Sequence, residues 1–312
     1  QKRISIMTAG NMQRVIRAPK ILLTVMVAAI CQPPIVHAVS DAWFEETTIP
    51  AGVSYAGQSF GASWGDVNGD GWPDLLVGNH SNQPHLYKNN RDGTFSQIFS
   101  PLPWTADAHG SAWADFDNDG DQDLLMTLGA AGGIGRGANQ FFINSGGILQ
   151  EQASLYGLDD PLGRGRTPLW LDWDNNGELD VFISNWLRTD GAAPSALFTQ
   201  ESGIFTDSFS QTGVQTSANN NYAQMMIVGN ISVPALVIHG NTFPDRVYDY
   251  SATPFIDMNA SAGLFPASIP NVSDSVIMDF NGDQKLDMFL ARTTDESEVV
   301  QLNPNSVIGR IN

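Results

Sequence analysis

The chain has 312 residues, 42% of them hydrophobic, with 15 Lys and Arg against 33 Asp and Glu and a formal net charge of −18. Such an acidic body repels polyanions, which excludes a nucleic-acid partner held by general electrostatics; the hydrophobic content, with 16 Phe and 8 Trp, excludes wholesale disorder. The acids are mostly Asp (26 against 7 Glu), beside 30 Gly and 17 Pro, residues that favour turns over helix interiors, so a strand-rich, loop-rich body is expected.

Residues 1–38 read as an address. Lys2, Arg3, Arg14, Arg17 and Lys20 fall here without any acid, and Met12 is a better initiation site than Gln1. The apolar run Ile21 to Ile30 follows, and Val36-His37-Ala38 offers small residues for cleavage, the three-part layout of a secretory signal peptide. Ten apolar residues are too few to cross a bilayer, which needs about 20, so no transmembrane segment is expected in the mature chain. From Val39 onward 10 basic residues face 33 acidic ones, a net of −23. The single cysteine, Cys31, lies in the removed segment; Ala28-Ala29-Ile30-Cys31 also offers a lipidation reading, against which Ile30 stands. The mature chain thus has neither a disulfide nor a Cys nucleophile. A secreted, cell-surface or periplasmic location is expected.

A unit of about fifty residues then recurs, and it divides residues 39–312 into repeats at about 55–104, 105–158, 159–214, 215–264 and 265–312. Its first acid falls at Asp66, Asp115 and Asp172, then at Ile227 in a worn copy, then at Asp279, with spacings of 49, 57, 55 and 52 residues. In each copy an apolar strand precedes the acidic loop and another follows it. A third strand (His85-Leu86-Tyr87, Arg246-Val247-Tyr248) and a fourth opening at Phe95, Phe205 or Phe255 complete the unit. Four short strands per unit, in series, predict an all-β fold, a β-propeller of four-stranded blades. Five repeats are visible, as a small ring or as part of a seven-bladed one. Trp64, Trp113 and Trp170, two residues before the first acid, read as core between blades.

In the first loop Asp66, Asn68, Asp70 and Asp74 stand at positions 1, 3, 5 and 9. Alternate spacing turns three side chains into a tight loop, the carbonyl of Trp72 at position 7 adds an oxygen, and Gly71 permits the reversal. Hard oxygen ligands with several carboxylates suit Ca²⁺. An EF-hand would need a bidentate Glu at position 12, where these loops carry Val77, Met126, Ile183 and Leu290.

With these residues the chain resembles the FG-GAP/VCBS repeats of integrin-α-type propellers over about residues 44 to 312. The phrase Phe44-Glu45-Glu46-Thr47 through Gly52-Val53 is similar to the cartilage-acidic-protein/UnbV-like secreted group. The resemblance implies about four calcium sites and extracellular recognition or adhesion, usually without catalysis. Its ligand pattern carries onto Asp66, Asn68, Asp70, Trp72 and Asp74; onto Asp115, Asp117, Asp119, Asp121 and Asp123; onto Asp172, Asp174, Asn176, Glu178 and Asp180; and onto Asp279, Asn281, Asp283, Lys285 and Asp287, with position 7 giving its carbonyl. Gln284 stands where Gly is expected and weakens the last site, while Ile227, Gly229, Ile231 and Ala235 abolish the site of the worn copy.

Signals of catalysis do not hold together. Gly57-Gln58-Ser59-Phe60-Gly61 has the spelling of a nucleophile elbow but leads into a strand where the elbow needs a helix. The stretch Gly129 to Gly137 has no Lys and no dinucleotide fingerprint, and the five His, with His80 and His85 read as surface loop residues, have no ligand spacing. Asp159 and Asp160 are adjacent rather than facing. The reading is a secreted, calcium-binding, non-catalytic recognition or adhesion module for an extracellular protein or glycan. The alternatives are a lectin-like propeller and a propeller-type polysaccharide lyase. The long connections, with Arg136, Arg164, Arg166, Arg188, Arg292 and Trp186, are expected on the face opposite the acidic loops.

Overall fold

The computed structural model describes residues 46–311 apart from 81, 99–106, 131–136, 191–193, 216–219, 229–232, 241–245, 259–271, 279–286, 293–296 and 302–308; for 220–228, 233–234, 240, 272–278, 287–292, 297–301 and 309–311 it describes backbone alone. The signal peptide with Cys31, Phe44, Arg136 and the loop ligands Asp279, Asn281, Asp283 and Lys285 lie outside the described residues. No helix among those described is long and apolar enough to cross a membrane.

Each repeat folds as one antiparallel sheet whose strands pair in sequence order. The first holds β1 (Ser59–Gly65), β2 (Asp74–Asn79), β3 (His85–Asn89) and β4 (Phe95–Ile98). The second holds β5 (Ala108–Ala114), β6 (Asp123–Leu128), β7 (Gln140–Ser145) and β8 (Ile148–Glu151). The third holds β9 (Gly165–Leu171), β10 (Asp180–Asn185), β11 (Ala196–Glu201) and β12 (Ile204–Asp207). The fourth holds β13 (Asn220–Val228), β14 (Val233–Gly240), β15 (Arg246–Asp249) and β16 (Ile256–Asp257), and the fifth β17 (Val272–Met278), β18 (Asp287–Arg292), β19 (Ser297–Gln301) and β20 (Gly309–Ile311). Single helical turns, α1 (Ala153–Tyr156) and α2 (Phe209–Thr212), follow the second and third sheets. The first strands stand side by side, β1 against β5, β5 against β9, β9 against β13 and β13 against β17, as the inner strands of successive propeller blades.

Blade stacking explains the apolar runs. A sheet with one wet face alternates, whereas a sheet buried on both faces does not. In β6, Leu124 and Met126 join Val67, Leu76 and Leu86 between the first two blades, while Leu125 points the other way. There it meets Phe116, Phe141, Val181, Ile183 and Phe205. In β10, Phe182 faces Leu236, Ile238 and Tyr248 of the fourth blade. Burying each such side chain contributes about 1.5–3 kcal/mol before the entropy cost. Trp113 and Trp170 are partly buried against these same layers.

The inner strands share a feature that the repeat does not announce. In every blade the pairing of first and second strands slips by one residue near the start of the first strand, six residues before the loop's position 1. The residues at this bulge are Phe60, His109, Arg166, Asn221 and Ser273. A bulge leaves one residue unpaired and re-aims its side chain. Backbones close up here: a Cβ on Gly61 would strike the His109 carbonyl, and one on Gly110 the Arg166 carbonyl.

Candidate functional site

The loops between first and second strands repeat one hydrogen-bond scheme in the three blades where they are described. At position 1, Asp66 accepts from the amides of Asp70 (2.9 Å) and Gly71 (2.6 Å), Asp115 from Gly120 (3.1 Å), and Asp172 from Asn176 (3.1 Å) and Gly177 (3.0 Å). The expected reversal at position 6 is present: Gly71, Gly120 and Gly177 have φ of +80°, +99° and +88°. Position 4 is left-handed too, at Gly69, Asn118 and Asn175, and Asn is among the few residues with a side chain that tolerate this.

Position 9 ties the loop to the blade. Asp74 accepts from the amides of Val67 (3.1 Å) and Asn89 (2.8 Å), Asp123 from Phe116 (3.4 Å) and Asn144 (2.8 Å), and Asp180 from Trp173 (3.0 Å) and Gln200 (2.8 Å). The third-strand partner returns a bond: the side-chain amides of Asn89, Asn144 and Gln200 donate to the carbonyls of Pro73, Gln122 and Leu179. Asn144 also donates to Val67 of the preceding blade, 2.9 Å away. These amides tie the loop to the blade, and the acid spacing alone does not reveal them.

The second and third loops gather carboxylates: Asp115, Asp117 and Asp123, and likewise Asp172, Asp174 and Asp180, bring ligand atoms within 4.8 Å of one another. Burial, reinforced by Asp117 and Asp119, pushes Asp123 up to about 7, and burial pushes Asp180 up to about 6. One carboxylate oxygen of Asp115 is buried without a hydrogen-bond partner. Converging, desolvated carboxylates of this kind fit a hard divalent cation. The position 7 side chains turn away, Asp121 to the amide of Gly146 (2.7 Å) and Glu178 to that of Ser202 (3.2 Å). The first loop differs, since Asp70 lies 2.9 Å from Arg91 and 3.9 Å from Lys88. The Arg91 hydrogen bond holds the Asp70 carboxyl below the usual range.

In the worn copy both strands run on into the loop: Ile227 pairs with Pro234 and Val228 with Val233. In the last blade Met278 pairs with Asp287, the register of Gly65 with Asp74. Position 12 lies in a strand throughout, at Val77, Met126, Ile183 and Leu290.

The opposite ends of the blades share a backbone bond, from the amides of His80, Gly129 and Trp186 to the carbonyls of Gln58, Asp107 and Arg164, but their side chains differ from blade to blade. Arg188 is buried, bonds Asp190 at 2.6 and 2.7 Å and donates to the carbonyl of Gly163, so it is a scaffold residue and not the open anion contact expected of it. Arg164 donates to the carbonyls of Gly129 and Leu187. Arg166 lies over the Trp186 ring, 5.5 Å from its centroid, and burial lowers its pKa to about 10. Beside it is a group that sequence spacing missed. His80 Nδ1 and His109 Nε2 lie 2.9 and 3.0 Å from one oxygen of Asp107. Burial, then the charge of Arg166, push His109 down to about 4, with Asp107 opposing. Ser59 opens β1 and its hydroxyl meets Asn79, with no helix behind it.

Residues 44–126 match the family described as FG-GAP-like repeat. No curated protein matches the chain. Among solved structures it is similar to BBS1N in complex with ARL6DN, soaked with lead, with 10% identity, 78% of this chain and 68% of that one covered, and a TM-score of 0.42. It is also similar to the N-terminal domain of Nup159, with 12% identity, 80% and 66% covered, and a TM-score of 0.41. The first blade and the inner strands of the second, with their two acidic loops, thus match the FG-GAP-like repeat, and they fold as four-stranded blades.

Proposed function

We propose that the chain is an exported, calcium-binding β-propeller that serves as a non-catalytic recognition or adhesion module. The observation that carries this reading is the convergence of Asp115, Asp117 and Asp123, and of Asp172, Asp174 and Asp180, inside loops tied to their blades by the same position 9 bonds. Asp66, Asn68, Asp70 and Asp74 would hold a further ion once Asp70 is drawn from Arg91, and Asp279, Asn281, Asp283 and Asp287 a fourth. Bound calcium would neutralise carboxylates that burial otherwise makes costly to ionise. The loop at Asp115, with four carboxylates, should be the tightest site, and the last loop, with Gln284 in a glycine turn, the weakest.

Calorimetric titration of chelator-treated protein with Ca²⁺ should resolve four sites, with Asp117→Ala abolishing the tightest. Absence of any calcium heat would overturn the reading. The partner, an extracellular protein or an acidic glycan, would meet the opposite face near Arg164, Arg166 and Trp186. On an acidic-glycan array, Arg166→Ala should lose binding while calcium titration stays unchanged; unaltered array binding would remove this face from consideration.

A further inference from the structure

His80, Asp107 and His109 come from two blades and meet where the first and second sheets adjoin, on the face opposite the acidic loops. Their ligand atoms all lie within 4.8 Å of one another. Each residue is held by a different device. His80 follows β2 and donates its backbone amide to the Gln58 carbonyl at 3.0 Å. His109 is the bulge residue of β5, and its side chain is 7% exposed. Asp107 has a φ of +76°, a left-handed backbone that Asp visits at a cost. The Phe60 ring, the bulge residue of the preceding blade, sits 5.0 Å from both imidazoles and fixes their planes.

One further observation points to a ligand. His80 Nδ1 is shielded from solvent and lies 2.9 Å from the Asp107 carboxylate, yet at an angle that makes no hydrogen bond. Such a nitrogen is aimed into the group without being satisfied by it. Gly129 packs its backbone against the same group: a Cβ there would lie 2.5 Å from both Asp107 Oδ2 and His109 Nε2, so only glycine lets these side chains come this close to the chain.

We propose that His80 Nδ1, His109 Nε2 and the Asp107 carboxylate form a binding site for a borderline divalent transition ion of the zinc class, with a fourth position open to an external ligand. Two imidazoles and one carboxylate are the donor set such ions select, whereas calcium takes oxygen alone. Four-coordinate zinc with bonds of about 2.0–2.1 Å holds its ligands about 3.4 Å apart, so the two nitrogens need shift from the Asp107 oxygen by only a few tenths of an ångström. The cost is the nearby Arg166 charge, which is itself turned onto Trp186. The site does not depend on the calcium reading.

The full chain should be titrated with Co²⁺ in excess Ca²⁺, which keeps cobalt off oxygen-only loops. One equivalent should bind with visible ligand-field absorption and be displaced by Zn²⁺. His80→Ala, at an exposed ring, and Asp107→Asn, which keeps the left-handed backbone, should each weaken cobalt binding roughly tenfold or more, with melting in calcium alone unchanged. A parallel melt should show Zn²⁺ stabilising the parent chain and neither variant. Absence of cobalt absorption, or equal binding by parent and both variants, overturns the proposal.

Discussion

At the loop end of the second and third blades the same side chains return in the same bonds: Asp123 and Asp180 each hold the amide of position 2 and that of the third strand. At the bulge end the equivalent positions hold Phe60, His109 and Arg166, whose side chains share no bond although the backbone closes in the same way in each blade. The first end is set by the repeat, because every blade needs its hairpin closed and its loop tied down. The second is free of that demand, so each blade can present a different side chain from a bulge in a common scaffold. Within the loop end, the first blade departs by pairing Asp70 with Arg91.

Chelation should separate the two ends most strongly. Metal bound only to the folded state stabilises by about 2.7 kcal/mol per site at a hundredfold excess over Kd, so EDTA should lower Tm markedly, and Ca²⁺ added back without any zinc-class ion should restore it. A melting curve indifferent to EDTA would refute the calcium assignment.

Next in size is the split between tie and ligand. Asp123→Ala leaves the amides of Phe116 and Asn144 without an acceptor in a buried setting, at about 1–3 kcal/mol each. It should destabilise with or without calcium. Asp117→Ala removes an exposed carboxylate and should matter only in calcium. If the two variants melt alike in EDTA, position 9 is no tie.

A smaller effect comes from pH. Burial raises Asp123 to about 7 and Asp180 to about 6 in the folded chain, against ordinary carboxylates when unfolded. Between about pH 4 and 7 the folded state therefore holds more protons, and stability in EDTA should fall as pH rises through that window. Saturating calcium, which favours the ionised form, should flatten or reverse the trend in thermal melts across pH 5 to 8. The smallest effect is expected at Arg91→Ala, which frees Asp70 and should tighten calcium at the first loop severalfold by calorimetry. Weaker binding would show that Arg91 supports the loop rather than competing in it.

The sequence by itself determined the repeat, the four strands per blade, the loop positions and the exclusion of an EF-hand, because each is a matter of local spacing. Left-handed turns need Gly or Asn, strands buried on both faces need unbroken apolar runs, and a ligand loop needs oxygens at alternate positions; all of these are written within about fifteen residues. Even the worn copy was legible, since Ala235 sits opposite Met226 in the register of Asp74 opposite Gly65. Tertiary structure alone decided the rest. Asn144 reaches Val67 across a blade boundary, Arg188 is consumed by Asp190, and His80 meets His109 through Asp107 from separate blades. The histidine contact depends on a one-residue slip in strand pairing and the Asn144 contact on how closely neighbouring blades approach. Which side chains then meet is set by packing between blades.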